Sequence, residues 1–223
     1  MHQALIQGVS GQPVQRITLT VDENYHFLAG QYLIVHGPGG VDIPLSIASA
    51  PEQLPQLQLH YRSTPGLAEA QAMDEALTES ALQVSEAAGD VICPPQDVPL
   101  LLIAGGSGAA QAFSCARQRA GQDAPAETTI LWCADDQQDL YDTDALAQLP
   151  NTTLHTVIDD RRTEENEGLL WLASNAGSFA DAHIILAGGP GFVYAATDIL
   201  IAQGVDESHL AADAYSYAPR DAQ

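Results

Sequence analysis

The feature that most constrains this chain is a change of rhythm near Val98. Before it, short apolar or alternating runs follow one another with little between them but turn residues: ALIQGVS, VQRITLTV, QYLIVHG, IPLSIAS, LQLHYRS and LQVSEAAG. GPGG at 37–40 and APEQLP at 50–55 supply bends. Runs of this length rich in Val, Ile, Leu and Tyr read as strands, and several at this spacing predict a small antiparallel barrel. One helix interrupts them, Gly66 to Leu77, with Leu67, Ala70, Met73 and Leu77 on one face. After CPPQDVP the pattern becomes apolar strand, loop, helix, repeated. PLLLIAGG leads to a helix from Ala109 to Arg119, TTILWCADD to one from Asp139 to Leu149, and TLHTVIDD to one from Glu167 to Ala176. HIILAGG leads to a helix from Gly191 to Gln203, and a short HLAADAY closes the series. Short apolar strands alternating with helices predict a parallel sheet covered on both faces. The expected organisation is an antiparallel β-barrel over residues 1–97 and an α/β parallel-sheet domain over 98–223.

Composition narrows what such a chain does. Its 223 residues suffice to bury a real core. No apolar run approaches the roughly 18 residues of a membrane helix, and MHQALIQGVSGQ lacks the basic start and apolar centre of a signal peptide. A cytoplasmic location is expected. The 29 acidic residues face seven arginines and no lysine, giving a net charge of −22. Nucleic acid is therefore an implausible partner. Because the acids are spread along the whole chain, they read as adaptation to a salty, halophilic setting rather than as one acidic face. Cys93, Cys115 and Cys133 form no CxxC pair, which excludes a disulfide framework or an internal iron–sulfur centre. The seven histidines show no HxxxH or HExxH spacing, so no metal site is expected.

In open parallel sheets, ligands bind outside the carboxyl ends of the strands. Three such ends carry informative residues: GGSG at 105–108, CADD at 133–136 and AGGPG at 187–191. Glycine lets a backbone approach a ligand closely, and free N–H groups at a helix start favour an anion or a ring amide. A tight strand-to-helix turn needs glycine as well, and Pro190 is an ordinary first-turn residue. Asp135 and Asp136 stand where a carboxylate accepts hydrogen bonds from a ribose diol, or where two acids are merely solvated.

Taken together and in order, AGQY at 29–32, PLSIAS at 44–49, LLIAGGSG, WCADD, DLYD at 139–142 and LAGGPGFV resemble the ferredoxin reductase-like flavoproteins. The nearest group is the single-chain NAD(P)H:flavin oxidoreductases. The resemblance runs from Ile6 to Tyr217 and implies a flavin on the barrel, a nicotinamide nucleotide on the second domain, and hydride transfer between them. It puts Ser46 beside flavin N5 as the catalytic position. Pro44, Leu45, His60, Tyr61, Arg62 and Tyr215 fall on the flavin side. Gly105, Gly106, Ser107 and Gly108 form the first nucleotide loop, Gly188, Gly189 and Pro190 the second, with Cys133 and Asp135 on the rim.

Departures from the family pattern are as informative. Where relatives carry an arginine and an aromatic before the serine, this chain reads Ile43, Pro44, Leu45, Ser46. A charge-assisted hydrogen bond contributes about 1.5–3 kcal/mol, so losing the cation weakens binding of a flavin phosphate by one to two orders of magnitude. Arg62 in HYRSTPG is the candidate substitute, with the helix opened by Gly66 offering its N-terminus. Asp135 occupies a place where many relatives have arginine beside the 2'-phosphate. A carboxylate there repels the phosphate but accepts from a 2'-hydroxyl, so NADH is expected over NADPH. Position 187 is alanine where ferredoxin reductases proper carry cysteine.

The resulting expectation is hydride transfer from NADH (or NADPH) to FAD, FMN or riboflavin, with the flavin weakly held and acting as a substrate. Two alternatives remain open at this point. One is a reductase with resident FAD that passes electrons to an oxygenase or other acceptor protein. The other is a flavin-less, nucleotide-binding relative without activity.

Overall fold

The computed structural model describes residues 1–159 and 166–220. The last residue of the expected strand TLHTVIDD, Asp160, lies outside the described residues. Six strands form an antiparallel sheet: β1 (His2–Ser10), β2 (Val14–Thr20), β3 (Tyr32–His36), β4 (Asp42–Ser46), β5 (Gln56–Arg62) and β6 (Ala81–Val84), in the order β4-β3-β6-β1-β2-β5. The two outer strands do not stay open edges. Just past β4, Ile47 bridges Leu59 of β5, and the Ala48 N–H donates to the Gln58 carbonyl at 2.8 Å. The sheet thus closes into the barrel expected from the sequence. Its interior is Ile17, Leu19, Leu33, Ile47, Leu57 and Leu59, all fully buried. Helix α1 (Ala68–Ala76) adds Ala72, Met73 and Ala76 to the same apolar cluster. Leu67, expected on that face, is instead the exposed residue before the first turn.

The second half is a parallel sheet of β7 (Leu100–Gly105), β8 (Thr128–Ala134), β9 (Thr152–Ile158), β10 (His183–Ala187) and the short β11 (Leu210–Ala211). Its order is β11-β10-β7-β8-β9. The helices are α2 (Ala109–Ala120), α3 (Thr143–Ala147), α4 (Glu167–Asn175), α5 (Pro190–Ala202) and the terminal α6 (Ala214–Tyr217). The order reverses between β7 and β10, so the crevice such sheets offer to ligands lies where these two strands end.

One expected helix is much shorter than its sequence suggests. The segment from Asp139 to Leu149 keeps only α3, because Asp139, Tyr141 and Asp142 turn their side chains to the barrel instead of continuing a helix. Asp142 has a left-handed backbone, φ 49°, at the α3 start.

Helix α2 joins the halves. Its Ala109, Ala110, Ala112 and Ala116 are small enough for it to be buried between the sheet and the barrel. On the barrel side, Gln111 donates to the Gly30 carbonyl, Ser114 to the Ser49 carbonyl at 2.7 Å, and Arg117 to the Ala48 carbonyl at 3.0 Å and Gln58 at 2.8 Å. Buried polar groups with partners this specific fix one relative placement of two layers, since any shift leaves several unsatisfied at once.

Candidate active site

A cleft of about 700 Å³ opens between the two halves, within the roughly 300–1,000 Å³ of small-molecule sites. The barrel wall consists of Tyr32 and Ile34 from β3 and Asp42, Pro44, Leu45 and Ser46 from β4, with His60 behind them. These strands are paired neighbours, Tyr32 opposite Ser46 and Ile34 opposite Pro44, which puts the even-numbered residues on one face. The opposite wall is Ser107, Gly108, Ala110 and Gln111 after β7, and Leu186, Ala187 and Gly188 at the end of β10. Gly89, Asp90, Asp213, Ala214, Ser216 and Tyr217 complete the lining.

Two glycines make the second wall possible. A Cβ on Gly108 would lie 2.6 Å from the backbone of Ala187, and one on Gly188, which adopts φ 145°, would lie 3.2 Å from the backbone of Gly105. The two strand-end loops therefore pack backbone to backbone, with no side chain between them at Gly108 and Gly188. The Trp132 indole donates to the Gly106 carbonyl at 3.1 Å and holds the first loop from beneath.

Around the cleft the halves are clasped by the DLYD segment. Asp139 is buried and pairs with Arg62, Asp142 pairs with Arg16 at 3.3 Å, and the Tyr141 hydroxyl donates to His60 Nδ1 at 2.7 Å. His60 Nε2 faces the Gln58 side-chain oxygen at 3.2 Å, so the neutral ring carries its proton on Nε2 and accepts at Nδ1. Burial, with Arg117 and Arg16 nearby, drives the His60 pKa down to about 3. Tyr141 stacks on Phe113, interplanar angle 3°, and meets His60 and Trp132 edge to face at 5.0 Å. Such pairs add about 0.5–1.5 kcal/mol each beyond their buried area.

The residues singled out from the sequence fall into three groups. Pro44, Leu45, Ser46, His60, Ser107, Gly108 and Gly188 line the cleft together. Gly105 and Gly106 support that wall, and Gly189 and Pro190 open α5, with Pro190 in its first turn. The third group lies elsewhere. Tyr61 packs into the barrel core, and Arg62 is committed to Asp139 rather than standing over the cleft. Tyr215 turns onto α5, its hydroxyl 2.7 Å from Thr197, while Tyr217 two residues on lines the cleft and is 64% exposed. Cys133 is fully buried against Gly168, and Asp135 is exposed where β8 ends.

Sequence reasoning did not single out Asp213, Asp90 and Gln111. The Gln111 amide donates to Asp213 at 3.0 Å. Burial raises the Asp213 pKa, the Gln111 hydrogen bond opposes this, and Asp90 adds to it. One aspartate among so many carries no distinguishing signal in the sequence; only its position two residues before Tyr215, near the C-terminus, hinted at it.

These residues suit flat ring systems: Tyr32, Ile34 and Pro44 offer an apolar face, and the Gly108–Ala187 contact lets a ring approach the backbone opposite. A phosphate is served less well. Among the described residues the cleft lining contains no arginine or lysine, but it contains Asp42, Asp90 and Asp213.

An antiparallel barrel and a parallel nucleotide-binding sheet, sharing a cleft at the sheet's switch point, make up the ferredoxin reductase-like fold of an oxidoreductase. Within it, the likeness over the full length is to the flavin reductase group. Residues 102–198 match the oxidoreductase NAD-binding domain family. A probable flavin reductase of Vibrio harveyi is 29% identical over 219 residues, covering 91% of this chain and 93% of that protein. Reductase component 1 of terephthalate 1,2-dioxygenase from a Comamonas species is 29% identical over 127 residues, 56% of this chain but only 38% of that longer protein. Among solved structures, the Amycolatopsis cytochrome P450 reductase GcoB has the same fold, with a TM-score of 0.82, 22% identity, and coverage of 95% of this chain and 68% of that one. Among the described residues no helix is long and apolar enough to cross a membrane.

Proposed function

We propose that the chain is an NADH-dependent flavin reductase whose flavin enters and leaves as a substrate. The observation that carries this reading is the inter-half cleft, with Pro44–Ser46 on one wall and the Gly108–Ala187 backbone contact on the other. The bound pair supplies the redox chemistry, a hydride passing from the dihydronicotinamide to the flavin ring. The protein's task is positioning, because holding two reactants in contact accounts for much of such a rate. Ser46, in the cleft wall, would offer its hydroxyl to the flavin as a hydrogen-bond partner. Ser107 and the peptide groups of Gly108 and Gly188 would hold the carboxamide side of the nucleotide. Asp213, its carboxyl raised by burial and tied to Gln111, can hold a proton at a side-chain oxygen within the cleft. Asp135, at the end of β8, favours a ribose diol over a 2'-phosphate.

Weak retention of flavin follows from the same lining. With Arg62 engaged by Asp139 and three carboxylates in the cleft, nothing there binds a phosphate tightly. The strongly acidic chain fits a salt-rich cytoplasm, in which its self-repulsion is screened.

A second reading is favoured by the likeness to a dioxygenase reductase component: a resident FAD passing electrons to an acceptor protein. Consumption of NADH and NADPH, with and without riboflavin, FMN and FAD over a salt series, tests both. Turnover only on adding flavin, faster with NADH, is expected. A protein that stays yellow after desalting and reduces an acceptor protein without added flavin would establish the second reading. Absence of turnover with every flavin, even at molar salt, would reduce the chain to a nucleotide-binding relative.

A further inference from the structure

Away from the cleft, two of the three cysteines meet where the chain passes from barrel to sheet. Cys93 lies on the connection between β6 and β7, partly exposed, its N–H donating to the Ala29 carbonyl at 2.8 Å. Cys115 is fully buried on α2. The Cys93 thiol donates to the Cys115 carbonyl oxygen, 3.8 Å away, which sets the two side chains side by side, and the ionisation of each thiol acts on the other.

One turn further along α2 stands Arg119, 1% exposed. Its two terminal nitrogens donate to the carbonyls of Pro94, Pro95, Val98 and Ala126, clamping the same connection to the helix. Its Nε–H has no partner. Among the described residues no carboxylate is in ion-pair contact with it. A buried guanidinium without a counter-anion is costly, and its charge acts on both sulfurs, favouring the thiolate, with Glu52 opposing it at Cys93. A reactive cysteine needs access, a nearby cation and, to form a disulfide, a second cysteine beside it. Cys93 is partly exposed, Arg119 acts on it, and its thiol lies against Cys115.

We propose that Cys93 and Cys115 form a peroxide-sensitive dithiol, with Cys93 the attacking sulfur and Cys115 the resolving one, whose disulfide ties the connection between the halves to α2. The assignment of roles follows from the surroundings. The hydrogen bond from Cys115 is the main influence drawing the Cys93 thiol below its ordinary value, whereas Cys115 is pushed well above its own by that same contact and by burial. In the first step the Cys93 thiolate attacks one oxygen of hydrogen peroxide. An S–O bond forms, the O–O bond breaks, and the departing hydroxide takes up a proton to become water. In the second step Cys115 attacks the sulfenic sulfur. The S–S bond forms, the S–O bond breaks, and the Cys115 proton leaves with the hydroxyl as a second water. Two thiols are oxidised by two electrons in all, and one peroxide is reduced to two waters. The reaction does not depend on which flavin or nucleotide the cleft takes.

The test is peroxide titration of the fully reduced protein, followed by thiol counting and mass measurement after denaturation. The count should fall from three to one, with the mass lower by two hydrogens, a Cys93–Cys115 cross-linked peptide after acid-specific proteolysis, and recovery with dithiothreitol. In Cys115→Ser, Cys93 should stop at the sulfenic acid and be trapped by dimedone. In Cys93→Ser, thiol loss should slow by about tenfold or more, Cys115 lacking both access and thiolate character. Circular dichroism of both variants reports whether they fold. Three thiols persisting at peroxide levels that oxidise free glutathione would overturn the proposal. So would a cross-link involving Cys133 or a second chain, or a folded Cys115→Ser protein with no adduct at Cys93.

Discussion

His60 shows how a single residue ties stability to pH. Unfolded, it titrates near the ordinary 6.5; folded, burial takes it to about 3. Its folded pKa is depressed, so the neutral ring contributes stability above pH 6.5, and that contribution is lost as pH falls toward 3. The loss approaches about 1.4 kcal/mol per pH unit below 6.5. His183, also lowered by burial, acts in the same sense, while His2, raised by Asp22 and Glu86, acts oppositely. Chemical denaturation between pH 7 and 5, above most carboxylate titration, should show stability falling with pH, and His60→Gln should flatten that slope. At the rim of the sheet, Asp135→Arg should shift the NADH-to-NADPH ratio of kcat/KM by about tenfold toward NADPH, a modest figure because the position is exposed. An unchanged ratio removes Asp135 from the site. Residues differ in how far the sequence reveals them. Ser46 stands out because PLSIAS has a fixed place in a recognisable order of segments. Tyr217 and Asp213 do not, because a terminal segment of a few residues has no periodicity from which to read its inward face.

Among the elements, the β7–α2 and β10–α5 turns carry the most function per residue. Gly108→Ala places a methyl group 2.6 Å from the Ala187 backbone, and neither partner is a flexible side chain that can move aside. Overpacking of this kind costs about 1–3 kcal/mol. Thermal melts should show that loss, and kcat/KM for NADH should fall at least tenfold if the protein folds with its loops pushed apart. Normal turnover in a folded variant would mean that the nucleotide does not use this wall. The strands were the most legible elements. LLLIAG and TTILWCA are apolar without alternation, and the structure buries them on both faces. DLYD was the least legible: its residues suit a helix, and only three partners on the barrel, far away in sequence, explain why they leave it. Local pattern carries no record of a contact between residues 62 and 139.

Over the whole molecule, charge and architecture act together. The described arginines are all engaged: Arg16 and Arg62 with acids of the DLYD segment, Arg117 and Arg119 with carbonyls, and Arg220 with Asp198. The surface therefore has little to offset a net charge of −22. Raising salt from about 0.1 to 1 M shortens the screening length from roughly 10 to 3 Å. The melting temperature should rise over that range, and a flat or falling curve would dismiss the salt-adapted reading. Composition shows the charge at once, whereas which cations stay free is decided only by tertiary pairing.

The position of α2 has one more consequence. A beam bolted to both floors leaves neither storey able to collapse alone. Although two architectures sit side by side here, calorimetry at fixed salt should record a single endotherm, with van't Hoff and calorimetric enthalpies in agreement. Two resolved peaks would mean that the beam is weaker than its bolts suggest.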